Sequence, residues 1–308
     1  MKAVMYHYVR EFDERFPNFR FLSISNFSKQ LDYFEKKFGF VSRDEWEEII
    51  RSKRVGIGEG KVVLTFDDAM SCHFDYVLPE LIKRGLWGIF YVPTSPYQDA
   101  IMLDVHKIHL LCGALDGMEL YRTLETLVTE DMIPEDRRQE FRELTYLNQK
   151  NYPGVTEVKR LLNYFISYEY RGSIIEQLGS FYEINFNPSE FYVSTASLAD
   201  FDSQGMILGS HTRSHPVMSR LSYSEQFEQI NGSFEFLDRI SSSTLKTYCH
   251  PYGGFHSFNS DTLEVLKRKE VSYAFNVESR EISDEDIRVS PYCLPRFDCN
   301  EFRFGQVS

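Results

Sequence analysis

The stretch Lys61-Val62-Val63-Leu64-Thr65-Phe66-Asp67-Asp68-Ala69 carries most of what the sequence says about the fold. Its apolar, β-branched residues predict a buried strand over residues 61–66. Two adjacent carboxylates, Asp67 and Asp68, follow at the carboxyl end of that strand. Their mutual repulsion is unfavourable, and a bound cation would relieve it. The pair therefore indicates a cation site, although a solvated loop in which Asp68 caps a helix would fit the same letters.

Outward from this stretch, short apolar segments alternate with helical patterns. Strands are also predicted over residues 3–9, 87–92, 190–194, 206–209, 245–248 and 272–277. Helices are predicted behind Ser25 and Asn26, over residues 73–84, behind the capping box that Ser222 opens, and over residues 261–269. Repeated β–α units predict an α/β fold with a mainly parallel sheet or barrel. No strand is predicted between residues 101 and 182, where apolar residues recur at helical spacing.

A second chemical signal is the segment Gly209-Ser210-His211-Thr212-Arg213-Ser214-His215-Pro216. His211 and His215 are four residues apart, so one helical turn or tight loop can aim both imidazoles at one point. Two histidines and a carboxylate are a common zinc ligand set that leaves one coordination position open. Two unrelated histidines on a surface loop are the alternative, but the flanking glycine and proline favour a fixed loop.

Three further segments follow predicted strands or lie near the C-terminus. Tyr248-Cys249-His250-Pro251-Tyr252-Gly253-Gly254 is either a simple loop or a turn that aims a backbone N–H at a developing oxyanion. His7 lies at the end of the first predicted strand, where a lone histidine is usually a core residue, and Arg296 by itself would be a surface charge. Because the carboxyl ends of barrel strands converge on one face, the residues that follow them are expected to meet.

These motifs resemble those of a known enzyme family. Thr65-Phe66-Asp67-Asp68-Ala69 resembles the T-F-D-D-G motif of the NodB-type polysaccharide deacetylases, carbohydrate esterase family 4. The histidine segment matches that family's H-[ST]-x-x-H-P metal motif, and Tyr248 to Gly253 resembles its third motif, which ends in P-Y-G. The resemblance covers residues 1–98 and 186–300, and it implies a distorted (β/α)7 barrel.

The resemblance also implies roles for individual residues. Asp67 would be the general base, and the backbone N–H of Tyr252 would help to stabilise the oxyanion. The implied metal ligands are Asp68, His211 and His215. They would hold one divalent metal, which we expect to be zinc, with cobalt, nickel, manganese or iron as alternatives.

The sequence departs from the family pattern at three points. Ala69 replaces the usual glycine, and Cys249 stands where an arginine commonly supports the base. The usual C-terminal L-x-H motif, which supplies the general acid, is absent. Met5-Tyr6-His7 looks like the Tyr-His dipeptide of members with permuted motif order, which makes His7 the candidate acid, although Asp67 could serve as both base and acid. Arg296 is the candidate replacement for the missing arginine.

The expected organisation is a discontinuous deacetylase barrel, residues 1–98 and 186–308, interrupted by a helical insertion at residues 99–185. We expect the insertion to cap the barrel mouth, which favours a small substrate over a long polymer. His106-Lys107-Ile108-His109 begins this insertion as either a second metal site or, in our preferred interpretation, a solvated helix start.

Composition narrows the choice of partners and compartment. The formal net charge of −12 argues against nucleic-acid binding and against attraction to anionic membranes. Five cysteines without a C-x-x-C spacing favour free thiols in a reducing compartment. No apolar stretch approaches the ~20 residues of a membrane span, so no stable membrane insertion is predicted. We expect a cytoplasmic protein, and the sequence does not predict its oligomeric state.

The predicted reaction is hydrolysis of an N-acetyl group on an amino sugar, carried by a saccharide, a lipid-linked glycan or a sugar nucleotide. One alternative keeps the fold and the metal but removes a formyl group or opens a cyclic amide. A second alternative is a family member that binds saccharide without turnover. The intact Asp-Asp and His-x-x-x-His pairs favour an enzyme, because binding alone does not need a metal that activates water.

Overall fold

The computed structural model describes residues 1–134, 137, 154–241 and 243–307. The chain divides into two compact units. The barrel unit contains Met1–Glu11, Phe21–Ile101 and Pro188–Ser308, and the helical unit contains Phe12–Arg20 and Met102–Asn187. Within the insertion predicted at 99–185, residues 135–136 and 138–153 lie outside the described residues.

Parallel strands form the centre of the barrel unit. In chain order the strands are β1 Lys2–Tyr6, β2 Val9–Arg10, β3 Leu22–Ser23, β4 Val62–Asp67, β5 Ile89–Val92, β6 Ile207–Ser210, β7 Thr247–Cys249, β8 Tyr273–Phe275 and β9 Phe297–Asp298. Seven of them form one sheet in the order β8-β7-β6-β5-β4-β1-β9, and every neighbouring pair is parallel. This curled parallel sheet with its surrounding helices confirms the predicted distorted (β/α)7 barrel.

Helices connect most of these strands and also build the second unit. They are α1 Ile24–Lys37, α2 Arg43–Ser52, α3 Leu78–Lys83, α4 Ser95–Gln98, α5 Asp104–Ala114, α6 Gly117–Leu127, α7 Val155–Arg160, α8 Tyr168–Phe181, α9 Pro188–Phe191, α10 Thr195–Ser203, α11 Tyr223–Leu237, α12 Ser260–Arg268 and α13 Asp284–Val289. A π-helical turn, His73–Val77, precedes α3, and another, Leu161–Phe165, follows α7. The predicted capping box before α11 is present, with Ser222 and Glu225 bonding each other's backbone.

Strand β4 shows how the sheet separates two apolar cores. Leu64 and Phe66 pack with residues of α1 and α3 in the layer between sheet and helices. Val63 packs on the opposite face with side chains of β5 and β8, inside the barrel. Since side chains alternate along a strand, Thr65 and Asp67 share the interior face with Val63. The last residue of β4 therefore presents its carboxylate to the barrel interior.

One predicted strand is wrong. Residues 190–194 contain the run Phe191-Tyr192-Val193, and consecutive aromatic and β-branched residues are typical of a strand. The structure instead has α9 up to Phe191, a single bridge from Tyr192 to Met70, and then α10, whose first turn Ser194 caps. Proline at the start of α9 and the serine cap of α10 leave too few residues for a strand between the two helices.

The described residues of the helical unit form α5 to α8. Leu120 and Leu124 of α6 and Val158 of α7 are fully buried, as their helical spacing predicts. His106 lies near the start of α5, so the predicted helix start is confirmed, but its side chain is fully buried, so the expected solvation is wrong. No group of potential metal ligands among the described residues includes it. Throughout the described parts of both units, no helix has the length and apolarity that crossing a membrane requires.

Candidate active site

The Asp-Asp pair sits where β4 turns out of the sheet. Asp67 is the last residue of β4, and Asp68 and Ala69 take left-handed backbone conformations with φ of 80° and 49°. Residues with a Cβ adopt this region only at a cost of about 1–2 kcal/mol each. Both carboxylates are buried. The turn therefore directs two neighbouring acidic groups into the protein, in an arrangement that an ordinary solvated loop does not need.

Asp68, His211 and His215 lie together as a buried group of potential metal ligands. One ligand atom from each lies within 4.8 Å of the other two. Asp68 Oδ1 is 3.6 Å from His211 Nε2 and 3.8 Å from His215 Nε2. Two donors about 2.1 Å from one ion in tetrahedral geometry would be ~3.4 Å apart. The spacing of the three side chains therefore fits a single divalent ion.

His211 is held in the tautomer that can bind a metal. Its Nδ1 lies 2.8 Å from the backbone carbonyl of Cys249, which can only accept, so Nδ1–H is the donor. The lone pair of the neutral ring is then on Nε2, the nitrogen that faces Asp68. Burial lowers the pKa of His211 and favours this neutral form, although Asp67 and Asp68 oppose that shift.

Backbone geometry fixes the second histidine. Thr212 and His215 both have left-handed backbone conformations, with φ of 65° and 56°. The Thr212 hydroxyl accepts a hydrogen bond of 2.9 Å from the His215 backbone N–H and so closes the loop between the two histidines. The local fold of the His-Thr-Arg-Ser-His segment therefore aims both imidazoles at one point.

Arg296 is buried against Asp67 and is not a surface charge. Its Nη1 and Nη2 donate to Oδ1 and Oδ2 of Asp67, both at 2.8 Å, and Nη1 also donates to the Thr65 hydroxyl at 3.1 Å. Burial raises the pKa of Asp67, but the charge and hydrogen bonds of Arg296 outweigh that effect and hold the pKa at about 2. Asp67 is therefore an ionised, oriented carboxylate next to the potential metal ligands.

A second potential ligand group, Asp67 with His211 and Cys249, is less suitable for a metal. Burial raises the pKa of the Cys249 thiol well above its ordinary value, although Arg296 opposes that shift. The sulfur also accepts a hydrogen bond of 2.9 Å from Arg296. Since a metal ligand must be the thiolate, and Asp67 already binds Arg296, the set containing Asp68 fits an ion better.

His7 lies at the same end of the sheet. Because β1 pairs with β4 in register from Lys2 to Tyr6, the residues that follow both strands are neighbours. His7 Nε2 is 3.8 Å from Asp67 Oδ2, and the His7 side chain is 38% exposed. The structure therefore places His7 beside the candidate base with access to solvent, and not in the core.

Tyr252 follows β7 and has a left-handed backbone conformation with φ of 62°. Its ring centroid is 4.9 Å from that of His215. The structure thus brings Tyr252 to the histidine segment, while the role of its backbone N–H in stabilising an oxyanion stays a prediction.

Two residues near the site have side-chain roles that the sequence did not indicate. Thr65 donates to the carbonyl of Val4 and accepts from Arg296, so it ties β1 to the guanidinium. The sequence does contain a signal for this role, because Thr65 is a lone hydroxyl residue in an otherwise apolar strand. His73 contacts the backbone of His7, and nothing in its local sequence pattern distinguishes it from other residues of the predicted helix.

Comparison with known proteins finds a family match over one part of the chain. A family model described as polysaccharide deacetylase matches residues 184–274. No curated protein sequence matches the chain.

Solved structures share the fold. A Streptococcus pyogenes deacetylase, PplD, solved in complex with acetate, has 14% identity and a TM-score of 0.59, and the match covers 97% of this chain and 91% of that one. A polysaccharide deacetylase from Bacillus cereus has 13% identity and a TM-score of 0.56, with coverage of 96% and 64%. A de-N-acetylase from Aggregatibacter actinomycetemcomitans has 13% identity and a TM-score of 0.51, with coverage of 96% and 93%. Together, the family model and the fold confirm the predicted resemblance to the NodB-type polysaccharide deacetylases.

Proposed function

We propose that this chain is a metal-dependent hydrolase that removes an N-acetyl group from an amino sugar. The observation that carries the proposal is the buried set of Asp68, His211 and His215 beside an ionised Asp67. The match to the polysaccharide deacetylase model and the shared fold support carbohydrate deacetylation as the reaction class.

The metal ligands would be the carboxylate of Asp68 and the Nε2 atoms of His211 and His215. Two imidazoles and one carboxylate suit zinc and leave a coordination position open. A divalent ion held there would supply Lewis acidity, which lowers the pKa of a water molecule and polarises an acetyl carbonyl. Cobalt, nickel, manganese and iron use similar donors and are alternatives to zinc.

Two side chains beside the proposed metal site would carry out the proton transfers. Asp67, ionised and oriented by Arg296, accepts a proton from the attacking water. His7 donates a proton to the leaving amine, for which its partly exposed ring and its position 3.8 Å from Asp67 are suited. The backbone N–H of Tyr252 stabilises the negative charge that develops on the acetyl oxygen.

The substrate we propose is an N-acetylated amino sugar in a small saccharide, a lipid-linked glycan or a sugar nucleotide. Support for a small substrate comes from the predicted capping role of the insertion. The acidic net charge of −12 also favours a neutral or cationic sugar over a polyanionic one.

The test is the release of acetate from a panel of N-acetyl and N-formyl sugars by protein loaded with zinc. We expect acetate from at least one N-acetyl sugar, and loss of turnover with retained metal in Asp67→Asn. Asp75→Asn, the same change at an exposed carboxylate in the neighbouring π-helical turn, is the control and keeps full activity. Release of formate alone, or binding without release, would replace deacetylation with deformylation or simple saccharide binding.

A further inference from the structure

A second buried histidine lies directly behind His7. His73 is the first residue of the π-helical turn His73–Val77 and has no exposed surface. Its ring Nε2 is 2.6 Å from the backbone carbonyl of His7. A carbonyl oxygen can only accept, so Nε2–H of His73 is the donor. The bond joins the turn after the Asp-Asp pair to the residue after β1.

Aromatic side chains on neighbouring strands fix the His73 ring. Phe66 of β4 contacts it edge-on at a centroid distance of 5.7 Å, and Phe90 of β5 does so at 5.9 Å. Burial lowers the pKa of His73 to about 4, partly opposed by its bond to the His7 carbonyl. The ring is therefore a closely packed donor that is neutral near pH 7.

The hydrogen bond from His73 holds His7 at a point where the chain lies outside the strands. The register of β1 with β4 ends at Tyr6, and β2 starts at Val9, so His7 lies between two strands. Its carbonyl is held by the His73 ring, and its own ring faces Asp67 at 3.8 Å. A shift of the backbone at His7 would move the imidazole away from the base, because the ring is attached directly to that backbone.

We propose that His73 is a positioning residue that holds the backbone of His7, so that the His7 ring stays beside Asp67 and delivers a proton to the leaving amine. The catalytic part of this assignment rests on the proposed deacetylase function. A π-helical turn at this point fits the role, since such turns occur frequently at functional sites. The bond acts through His7, because His73 itself is fully buried.

The test compares His73→Leu, which removes the donor, with His73→Gln, whose amide N–H can replace Nε2–H. Each variant is assayed with an N-acetyl sugar and with an aryl acetate, whose phenolate leaves without a proton. His73→Leu should lower kcat for the sugar by about 10–100-fold, the scale of a small misplacement of a catalytic group, and leave the aryl acetate unaffected. His73→Gln should recover most of the loss.

A double variant separates positioning from a general structural effect. In a His7→Ala background, His73→Leu should cause no further loss of turnover on the sugar. Phe34→Leu is the stability control, since Phe34 lies in the same apolar core but its ring partners are Tyr33, Phe38, Phe40 and Phe302. It should lower the melting temperature and leave the ratio of the two activities unchanged. Equal loss on both substrates in His73→Leu, or a loss added to that of His7→Ala, would overturn the proposal.

The positioning bond can also be tested without any activity. The ring resonances of His7 in NMR spectra should shift in His73→Leu and return in His73→Gln. If the wild-type protein releases no acetate from any N-acetyl sugar, the proposed function fails, while the resonances still test the contact between the two residues. Unchanged His7 resonances in His73→Leu would refute the positioning role whatever the activity.

Discussion

Replacing Arg296 with methionine should destabilise the protein strongly. The guanidinium makes two hydrogen bonds of 2.8 Å to Asp67, and both side chains are buried. Hydrogen bonds to charged groups contribute about 1.5–3 kcal/mol each, which gives ~3–6 kcal/mol for the two bonds. Breaking a buried ion pair by removing one partner costs about 3–5 kcal/mol, because the other charge stays buried without compensation. The two estimates agree.

The loss of stability in Arg296→Met can be measured by thermal or urea unfolding. A loss of 3–5 kcal/mol corresponds to a fall in melting temperature of roughly 6–20 °C for a domain of this size. Asp67→Asn should also destabilise the protein, because it leaves the charged guanidinium of Arg296 buried without its partner. The double variant should cost several kcal/mol less than the sum of the single changes, since it removes both charges.

Two results would refute this reasoning. A fall in melting temperature of only about 1–2 °C for Arg296→Met would mean that solvent or another group compensates Asp67. Strict additivity in the double variant would mean that the two side chains do not interact in solution, whatever their distance.

Three further outcomes are expected. His211→Ala should reduce bound divalent metal from one ion per chain to near none in elemental analysis, because the ligand set loses an imidazole; full retention would contradict the assignment. Arg280→Gln should lower the free energy of unfolding by at most about 1 kcal/mol, because the Arg280 side chain is 42% exposed. Burial raises the pKa of Asp286, but Arg280 and Ser283 outweigh that effect and lower the pKa to about 2. A lowered carboxyl pKa stabilises the folded state above the unfolded pKa, so the difference in unfolding free energy should be full at pH 7 and shrink below about pH 4; a difference that grows in acid would be contrary to this. Ser222→Ala should cost ~1 kcal/mol by removing the cap of α11, and equal stability would mean that the capping box is dispensable.

Local patterns predicted the ends of the two strands that precede the potential metal ligands, whereas the first strand ends at Tyr6, before the predicted residue 9. The apolar run before Asp67 and the short strand before His211 both form, and both chemical segments follow them as expected. The carboxyl ends of parallel strands lie at one edge of the sheet. Convergence of the residues at those ends therefore follows from the alternation of predicted strands and helices.

Other parts of the site depend on contacts between distant residues. Arg296 and Asp67 are 229 residues apart, and no local pattern distinguishes a buried arginine from an exposed one. The resemblance to a known family suggested Arg296 as a replacement for an arginine, whereas its residues alone indicated a surface charge. The contact between His73 and the His7 carbonyl has no sequence signal, because the acceptor is a backbone atom.

Helix α2 was also missed, although Ser42 and Glu45 form a capping box at its start. The false strand at residues 190–194 had the opposite cause: a short run of aromatic and β-branched residues was present, but Pro188 and Ser194 define helix starts on either side. In both places, residues at the helix starts indicated the elements that form.

The left-handed residues at the candidate site have an energetic consequence for the whole barrel. Asp68, Ala69, Thr212, His215 and Tyr252 all carry side chains at positive φ. At about 1–2 kcal/mol each, they hold roughly 5–10 kcal/mol of conformational energy, comparable to the net stability of an entire domain. The other interactions of the folded barrel must therefore offset this conformational energy in addition to supplying the measured free energy of unfolding. Any ligand that binds only the folded site offsets part of this energy, so the apo protein is expected to open first at these turns.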